Sequence, residues 1–214
     1  MGGKAVSDLD LNKINNMQYD VLREIGNIGA GNATTALSQM INAKVSMNVP
    51  KVELLEFKEI SNMVGGEERI VVGILFTLGG DIEGMMMFMM DKVVSMHLVN
   101  ILLGNTEHSK PNEQTDFSEM GLSALNEIGN IISGAYLSSL SSLTNLTITS
   151  SIPYMAIDMA GAILSVPAIE FGKIGDKALL IETEFGDMDN YVNGYFILIP
   201  TLNSYSAILK SLGL

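Results

Sequence analysis

The sequence predicts an α/β fold, a single domain with pseudo-twofold symmetry in which helices pack on a largely antiparallel sheet. Three observations predict it. A motif within a long helical segment recurs near the middle of the 214-residue chain. Each copy is followed by a pair of apolar segments with the composition of strands. The two segments of a pair are separated by a short turn containing Gly-Asp, and short turns require antiparallel pairing.

The repeated motif consists of residues 24–28, Glu-Ile-Gly-Asn-Ile, which recur at residues 127–131. The offset between the copies is 103 residues, close to half the chain. The same offset relates Gly31 to Gly134, Leu37 to Leu140 and Pro50 to Pro153. Because the agreement continues without a gap over this distance, we interpret it as an internal repeat.

The chain is therefore predicted to be one domain, residues 1–214, made of two similar halves. The halves cover about 15–104 and 116–214. The segment 105–115 is polar and contains Pro111, so it is the predicted connector between them.

The first half opens with a predicted helix at about 15–41, whose apolar residues follow helical spacing. Its glycines at positions 26, 29 and 31 lower its intrinsic stability, so we expect them to pack closely against a neighbouring backbone. The predicted strands are 44–47, 52–57, 69–78 and 82–90. The run Met85–Met90 lacks polar alternation and is predicted to be a buried strand. A helix from Asp91 to Leu103 follows.

The second half repeats this plan with one addition. Its long helix is predicted at about 116–143. The segment from Pro153 to about Val166 is predicted to be a helix that has no counterpart in the first half. The other predicted elements are strands at 146–149, 178–185 and 191–199 and a closing helix at 201–212.

Composition and charge exclude several functional classes. Cysteine is absent, which excludes disulfide scaffolds, thiol nucleophiles and thiolate metal sites. The 24 acidic residues against 12 basic ones argue against binding to nucleic acid or to an anionic membrane. The two histidines, His97 and His108, lack the spacing of a zinc site, so no metal site is predicted.

Nothing in the sequence predicts membrane insertion. No stretch has the roughly 20 predominantly apolar residues that a spanning helix needs. Residues 1–13 contain two aspartates and lack the apolar core of a signal peptide. We therefore expect a cytoplasmic protein.

Each long helix carries polar residues at i, i+4 and i+7, a spacing that places them on one helix face. They are Asp20, Glu24 and Asn27 in the first helix, and Ser123, Glu127 and Asn130 in the second. A solvated helix face would explain a single polar stripe. However, Asn is a poor helix former, and it recurs in both halves at the same place relative to the glycines.

A carboxamide can accept a hydrogen bond from water and donate one to a transferring group. This pair of capacities suits the aiming of a water molecule at a phosphoryl group. A carboxylate on the same face can pair with a lysine of a docked partner. The motif therefore indicates half of an active site, completed by a protein that supplies the metal and the phosphoryl group.

Both copies, together with Pro50 and Pro153, resemble the signature of the CheC/CheX/FliY family of chemotaxis phosphatases. The resemblance extends from about Gln18 to Leu214 and includes the segment 81–84, Asp-Ile-Glu-Gly. It implies an enzyme that hydrolyses the aspartyl phosphate of the response regulator CheY. It implies no cofactor on this chain, with Mg²⁺ expected on the regulator.

Carried over by position, the resemblance implies a role for each motif residue. Asn27 and Asn130 would orient the attacking water, and Glu24 and Glu127 would bind the active-site lysine of the regulator. The supporting residues would be Asp20, Ser123, Pro50 and Pro153. The two prolines have an alternative role as simple punctuation between helix and strand.

The resemblance also implies binding to CheD, a receptor deamidase that regulates this type of phosphatase. The segment 157–164 resembles the docking helix, and Asp158 is the residue expected to contact CheD. An ordinary helix end with an acidic cap is the alternative. The alternative function for the whole chain is a non-catalytic adaptor that binds CheD, or a binding protein associated with the flagellar switch.

Overall fold

The computed structural model describes residues 16–41, 46–103, 115–171, 177–186 and 191–213. The helices in these ranges are α1 (Asn16–Ile41), α2 (Phe57–Met63), α3 (Lys92–Leu102), α4 (Glu119–Thr144), α5 (Ala160–Phe171) and α6 (Leu202–Ser211). The strands are β1 (Ser46–Glu56), β2 (Ile70–Gly80), β3 (Gly84–Asp91), β4 (Ile148–Ser150), β5 (Tyr154–Met159), β6 (Lys177–Gly186) and β7 (Tyr191–Pro200). The predicted connector lies outside these ranges except for Thr115, so the boundaries of the two halves stay a prediction.

The strands form one seven-stranded sheet with the order β1-β6-β7-β3-β2-β4, and β5 also pairs with β2. Every pairing between the described strands is antiparallel. The centre of the sheet lies between β7 and β3, and the strands follow in the same order on its two sides. Strand β3 occupies the position equivalent to β7, β2 that of β6, and β4 together with β5 that of β1. The predicted antiparallel α/β fold with pseudo-twofold symmetry is therefore confirmed.

The two halves are interleaved at the sheet edges. The first-half strand β1 pairs with the second-half strand β6, and the second-half strand β5 pairs with the first-half strand β2. Each half therefore completes its partner's side of the sheet, so the core is shared between them.

Helices cover both faces of the sheet. One buried cluster joins α1, α3, α4 and α6 to the first face, and a second joins α2 and α5 to the other. Strand β3 lies between the two clusters and is buried on both faces. Its residues alternate, with Met86, Phe88 and Met90 in the first cluster and Met85, Met87 and Met89 in the second. The prediction of a buried methionine strand is confirmed.

The predicted helix from Pro153 to Val166 is wrong in its first part. Residues Tyr154–Met159 form strand β5, and α5 begins only at Ala160. The first half also has the counterpart that it was expected to lack, because α2 begins at Phe57, 103 residues before Ala160. Helix α2 has seven residues, which is too short for a periodic apolar pattern to be recognised.

Strand β1 also differs from its prediction as two short strands. It is continuous from Ser46 to Glu56, but its register with β6 shifts between Asn48 and Lys51. Proline cannot donate to a strand ladder, and Pro50 lies within the shift. None of the described helices is both long and apolar enough to cross a membrane.

Candidate functional site

The two long helices are held together by a close contact at a glycine. A Cβ atom at Gly29 of α1 would lie 2.6 Å from Cδ1 of Tyr136 in α4. Nearby, Nδ2 of Asn32 donates a hydrogen bond of 2.9 Å to Oγ of Ser139. The expected close packing is therefore found at Gly29, although its partner is an aromatic ring and not a backbone.

A second glycine brings α4 onto the sheet. A Cβ atom at Gly129 would lie 2.5 Å from Cδ1 of Ile74 in β2. Ile128 and Ile132, which flank this contact on the same helix, are fully buried. These packing contacts bury one face of each long helix and turn the opposite face outward.

The outward faces carry the repeated polar residues. All six are exposed: Asp20, Glu24 and Asn27 on α1, and Ser123, Glu127 and Asn130 on α4. The helical spacing predicted from the sequence is therefore combined with the surface exposure that a docked partner requires.

Within the described part of the chain, the acids and amides of the motif have no hydrogen-bond or ion-pair partner: Glu24, Asn27, Glu127 and Asn130. Their donors and acceptors are therefore available to a molecule that docks on the helix.

The residues at the first motif position differ between the halves. Oδ1 of Asp20 accepts a hydrogen bond of 2.9 Å from Nη2 of Arg23, and both side chains are exposed. An exposed pair of this kind contributes about 0–1 kcal/mol to stability. The second half has Ser123 and Asn126 at the same places, so it has a neutral pair where the first half has two opposite charges.

Each motif proline lies among the outer strands of the sheet. Pro50 lies at the register shift of β1, and the half-buried Pro153 lies between β4 and β5. Neither proline therefore lies directly between a helix and a strand, which is the position that the alternative role as punctuation requires.

Asp158 does not lie on a helix, in contrast to its prediction. It is exposed in β5, where it is opposite Val71, and its Oδ1 accepts a hydrogen bond of 2.7 Å from the backbone N–H of Met159. Helix α5 starts two residues after Asp158, at Ala160. The acid therefore lies at the junction of the strand and the helix.

Sequence reasoning missed a group of exposed apolar residues along β5 and α5. Tyr154 and Met159 are 70% and 44% exposed, and Val166 and Ile169 on α5 are 46% and 77% exposed. Helix α5 has almost no polar residues, with only Ser165 and Glu170 among twelve. A surface helix normally has a polar face, so this composition was the signal that could have identified them.

The described residues contain no group of three or more His, Asp or Glu side chains placed to hold a metal ion.

Comparisons with known proteins relate both motifs to chemotaxis proteins. The model of the CheC-like family matches residues 17–54, and the model of the chemotaxis phosphatase CheX matches residues 71–169. The CheY-P phosphatase CheC of Bacillus subtilis (strain 168) is 34% identical over 204 residues, which cover 94% of this chain and 97% of that protein.

Two solved structures share the fold. Thermotoga maritima FliY is similar with a TM-score of 0.74 and 22% identity, over 94% of this chain and 98% of that chain. A chain of the FliM–SpeE complex from H. pylori is similar with a TM-score of 0.68 and 13% identity, over 94% and 97%. At these identities the similarity concerns the fold alone.

Proposed function

This chain belongs to the CheC/CheX/FliY family of chemotaxis phosphatases, and from that membership we propose that it hydrolyses the aspartyl phosphate of the response regulator CheY. The observation that carries the proposal is the pair of exposed glutamate–asparagine motifs, whose side chains have no partner among the described residues. The Bacillus subtilis relative, which is named a CheY-P phosphatase, supports the choice of substrate.

In the proposed reaction, Oδ1 of Asn27 or Asn130 accepts a hydrogen bond from a water molecule and holds it in line with phosphorus. The water oxygen bonds to phosphorus, and the bond between phosphorus and the aspartyl oxygen breaks. The products are inorganic phosphate and the free carboxylate of the regulator, and Mg²⁺ held by the regulator neutralises the developing charge. Aiming the water accounts for about a hundredfold, or roughly 2.7 kcal/mol.

Glu24 and Glu127 dock the regulator in this proposal. Each lies three residues before its asparagine and therefore on the same helix face. A carboxylate there pairs with the active-site lysine of the regulator and holds the regulator against the helix. Asp20 and Ser123, one turn earlier, contact the rim of the docked surface.

We also propose that this chain acts in the cytoplasm, where it would meet its proposed substrate. The experiment that tests the function combines phosphorylated CheY and Mg²⁺ with a substoichiometric amount of this chain and follows phosphate release. We expect release at least about tenfold faster than the decay of CheY alone. Unchanged decay would refute the proposal.

A second candidate function is a non-catalytic binding protein, associated with the flagellar switch or with CheD. It is kept as a candidate because the FliM middle domain from H. pylori has a similar fold, and one fold can serve several functions. Binding of CheY without faster phosphate release, measured in the same experiment, would favour this candidate over the enzyme.

We also propose that CheD docks on the exposed apolar residues of β5 and α5, with Asp158 as a polar contact. A contiguous apolar patch on a surface marks an interaction site; β5 and α5 follow each other in the chain, and both carry exposed apolar residues, with the acid near their junction. Asp158→Ala is expected to weaken CheD binding about tenfold in a calorimetric titration.

Two control variants separate the causes of that loss. Asp158→Asn keeps an oxygen for the N–H of Met159 but removes the charge. Glu83→Ala removes an exposed acid at the turn between β2 and β3, and we expect it to bind CheD normally. Equal affinities for Asp158→Ala and wild type would contradict the assignment of this residue.

A further inference from the structure

Two glycines on the long helices have no explanation in the packing of the residues that the structure describes. Gly31 and Gly134 are exposed, and a Cβ atom at either would meet nothing within 4 Å. Each lies in the interior of a 26-residue helix, where glycine is the poorest former after proline. The expectation that Gly31 packs closely against a neighbour is therefore wrong.

The other glycines with a defined environment all have a structural reason. Gly29 and Gly129 face the core, where a Cβ atom would overlap Tyr136 or Ile74. The remaining ones either have a neighbour within 4 Å or adopt a positive φ that favours glycine. Gly31 and Gly134 have neither, so their absence of a side chain serves no contact within the described residues.

Both glycines lie directly beside the proposed water-aiming amides. Gly31 follows Asn27 by four residues, and Gly134 follows Asn130 by four, so each pair shares a helix face. Side chains on a helix lean toward its N-terminus and cover the preceding turn. A side chain at position 31 or 134 would therefore lean over the asparagine.

We propose that Gly31 and Gly134 are positioning residues: because they have no side chain, nothing projects from the helix beside Asn27 and Asn130. The substrate phosphoryl group is attached to an aspartate of a protein, so the helix and the regulator surface must approach closely before the amide reaches the water. A side chain at either glycine would hold the two surfaces apart. This inference rests on the proposed phosphatase function and deepens it.

The test replaces both glycines by better helix formers, in the variants Gly31→Ala/Gly134→Ala and Gly31→Leu/Gly134→Leu. Since a Cβ atom at either position meets nothing among the described residues and both new residues are better helix formers, we expect both variants to unfold at a higher urea concentration than wild type. We expect KM for phosphorylated CheY to rise about tenfold for alanine and further for leucine. A merely structural role would not combine higher stability with weaker substrate binding.

A matched control adds leucine elsewhere on the same helices. Gln39 and Ser142 are exposed, are related by the same 103-residue offset, and lie eight residues, or about 12 Å, beyond the glycines. Gln39→Leu/Ser142→Leu is expected to keep the wild-type KM. A wild-type KM for the variant Gly31→Leu/Gly134→Leu would overturn the inference. A lower urea midpoint for that variant would overturn it as well.

Failure of the underlying function is recognised separately. If wild-type protein does not accelerate phosphate release, the proposed function is refuted. The proposed role of Gly31 and Gly134 is then tested by measuring binding to CheY activated with beryllium fluoride, a mimic of the acyl phosphate. Equal affinities of the wild type and the double leucine variant would overturn the inference, and weaker binding by the variant would support it.

Discussion

Removal of both amides, in the variant Asn27→Ala/Asn130→Ala, separates catalysis from folding. Both side chains are exposed in helix interiors and have no hydrogen bond to the described residues. Alanine is the better helix former by about 0.5 kcal/mol or more at each position. We therefore expect the variant to be at least as stable as wild type, so that any loss of phosphatase activity comes from the site.

The expected magnitude is about a hundredfold loss in phosphate release, because one water-positioning interaction is removed at each site. The two sites lie on different helices, and if they act independently their rates add. The decreases measured for Asn27→Ala and for Asn130→Ala should then sum to the decrease of the double variant. The single variants also show how the activity is divided between the sites.

The assay measures phosphate release from phosphorylated CheY at saturating concentration, with urea unfolding of each variant as the control for folding. Asn27→Asp/Asn130→Asp keeps the size of the side chain but removes the N–H donor and adds a charge that repels the phosphoryl group. It should be as inactive as the alanine variant. Full activity in a folded double alanine variant would refute the water-aiming role.

Three further perturbations concern the docking acid, the helix contact and a buried tyrosine. Glu24→Gln/Glu127→Gln should raise KM about tenfold with kcat unchanged, and the rise of KM with salt should be smaller than in wild type. Gly29→Ala should lower the free energy of unfolding by about 1–2 kcal/mol in urea, because the new methyl group displaces the ring of Tyr136. Burial raises the pKa of Tyr136 to about 12, against a weaker opposing effect of its hydrogen bond with Thr183. Since the native state holds this proton more tightly than the unfolded state, wild type should lose about 2 kcal/mol of its free energy of unfolding between pH 10 and about 12. The Tyr136→Phe variant should lack that part of the loss of stability. If the free energy of unfolding of the variant changed with pH as in wild type, the raised pKa of Tyr136 would be contradicted.

The local features of this protein could be predicted because they follow from local periodicity. The prediction of a helix over about 15–41 agrees with α1, and the i, i+4, i+7 spacing places the motif side chains on one face in any helix. The buried strand β3 was also predictable, since an unbroken apolar run requires cover on both faces. The candidate site was therefore identified from residue types and spacing.

The errors occurred where local pattern and tertiary context differ. Tyr154–Met159 was predicted as helix, but pairing with β2 makes it a strand. Helix α2 was missed because seven residues give too little periodicity, although Glu56 and Glu59 form a capping box at its start. The composition of α5 signals that some of its apolar residues are exposed, but which of them are exposed depends on how the helix packs in the folded chain.

The amino-acid sequence by itself determined that there are two copies of one motif, each with an acid and an amide on one helix face. Only the tertiary structure decided that these faces point outward. That outcome depends on contacts between distant residues, such as Gly29 with Tyr136 and Gly129 with Ile74. The interleaving of β1 with β6 and of β5 with β2 has the same origin. Helix geometry is set by neighbours along the chain, whereas exposure and strand pairing are set by residues that meet only after folding.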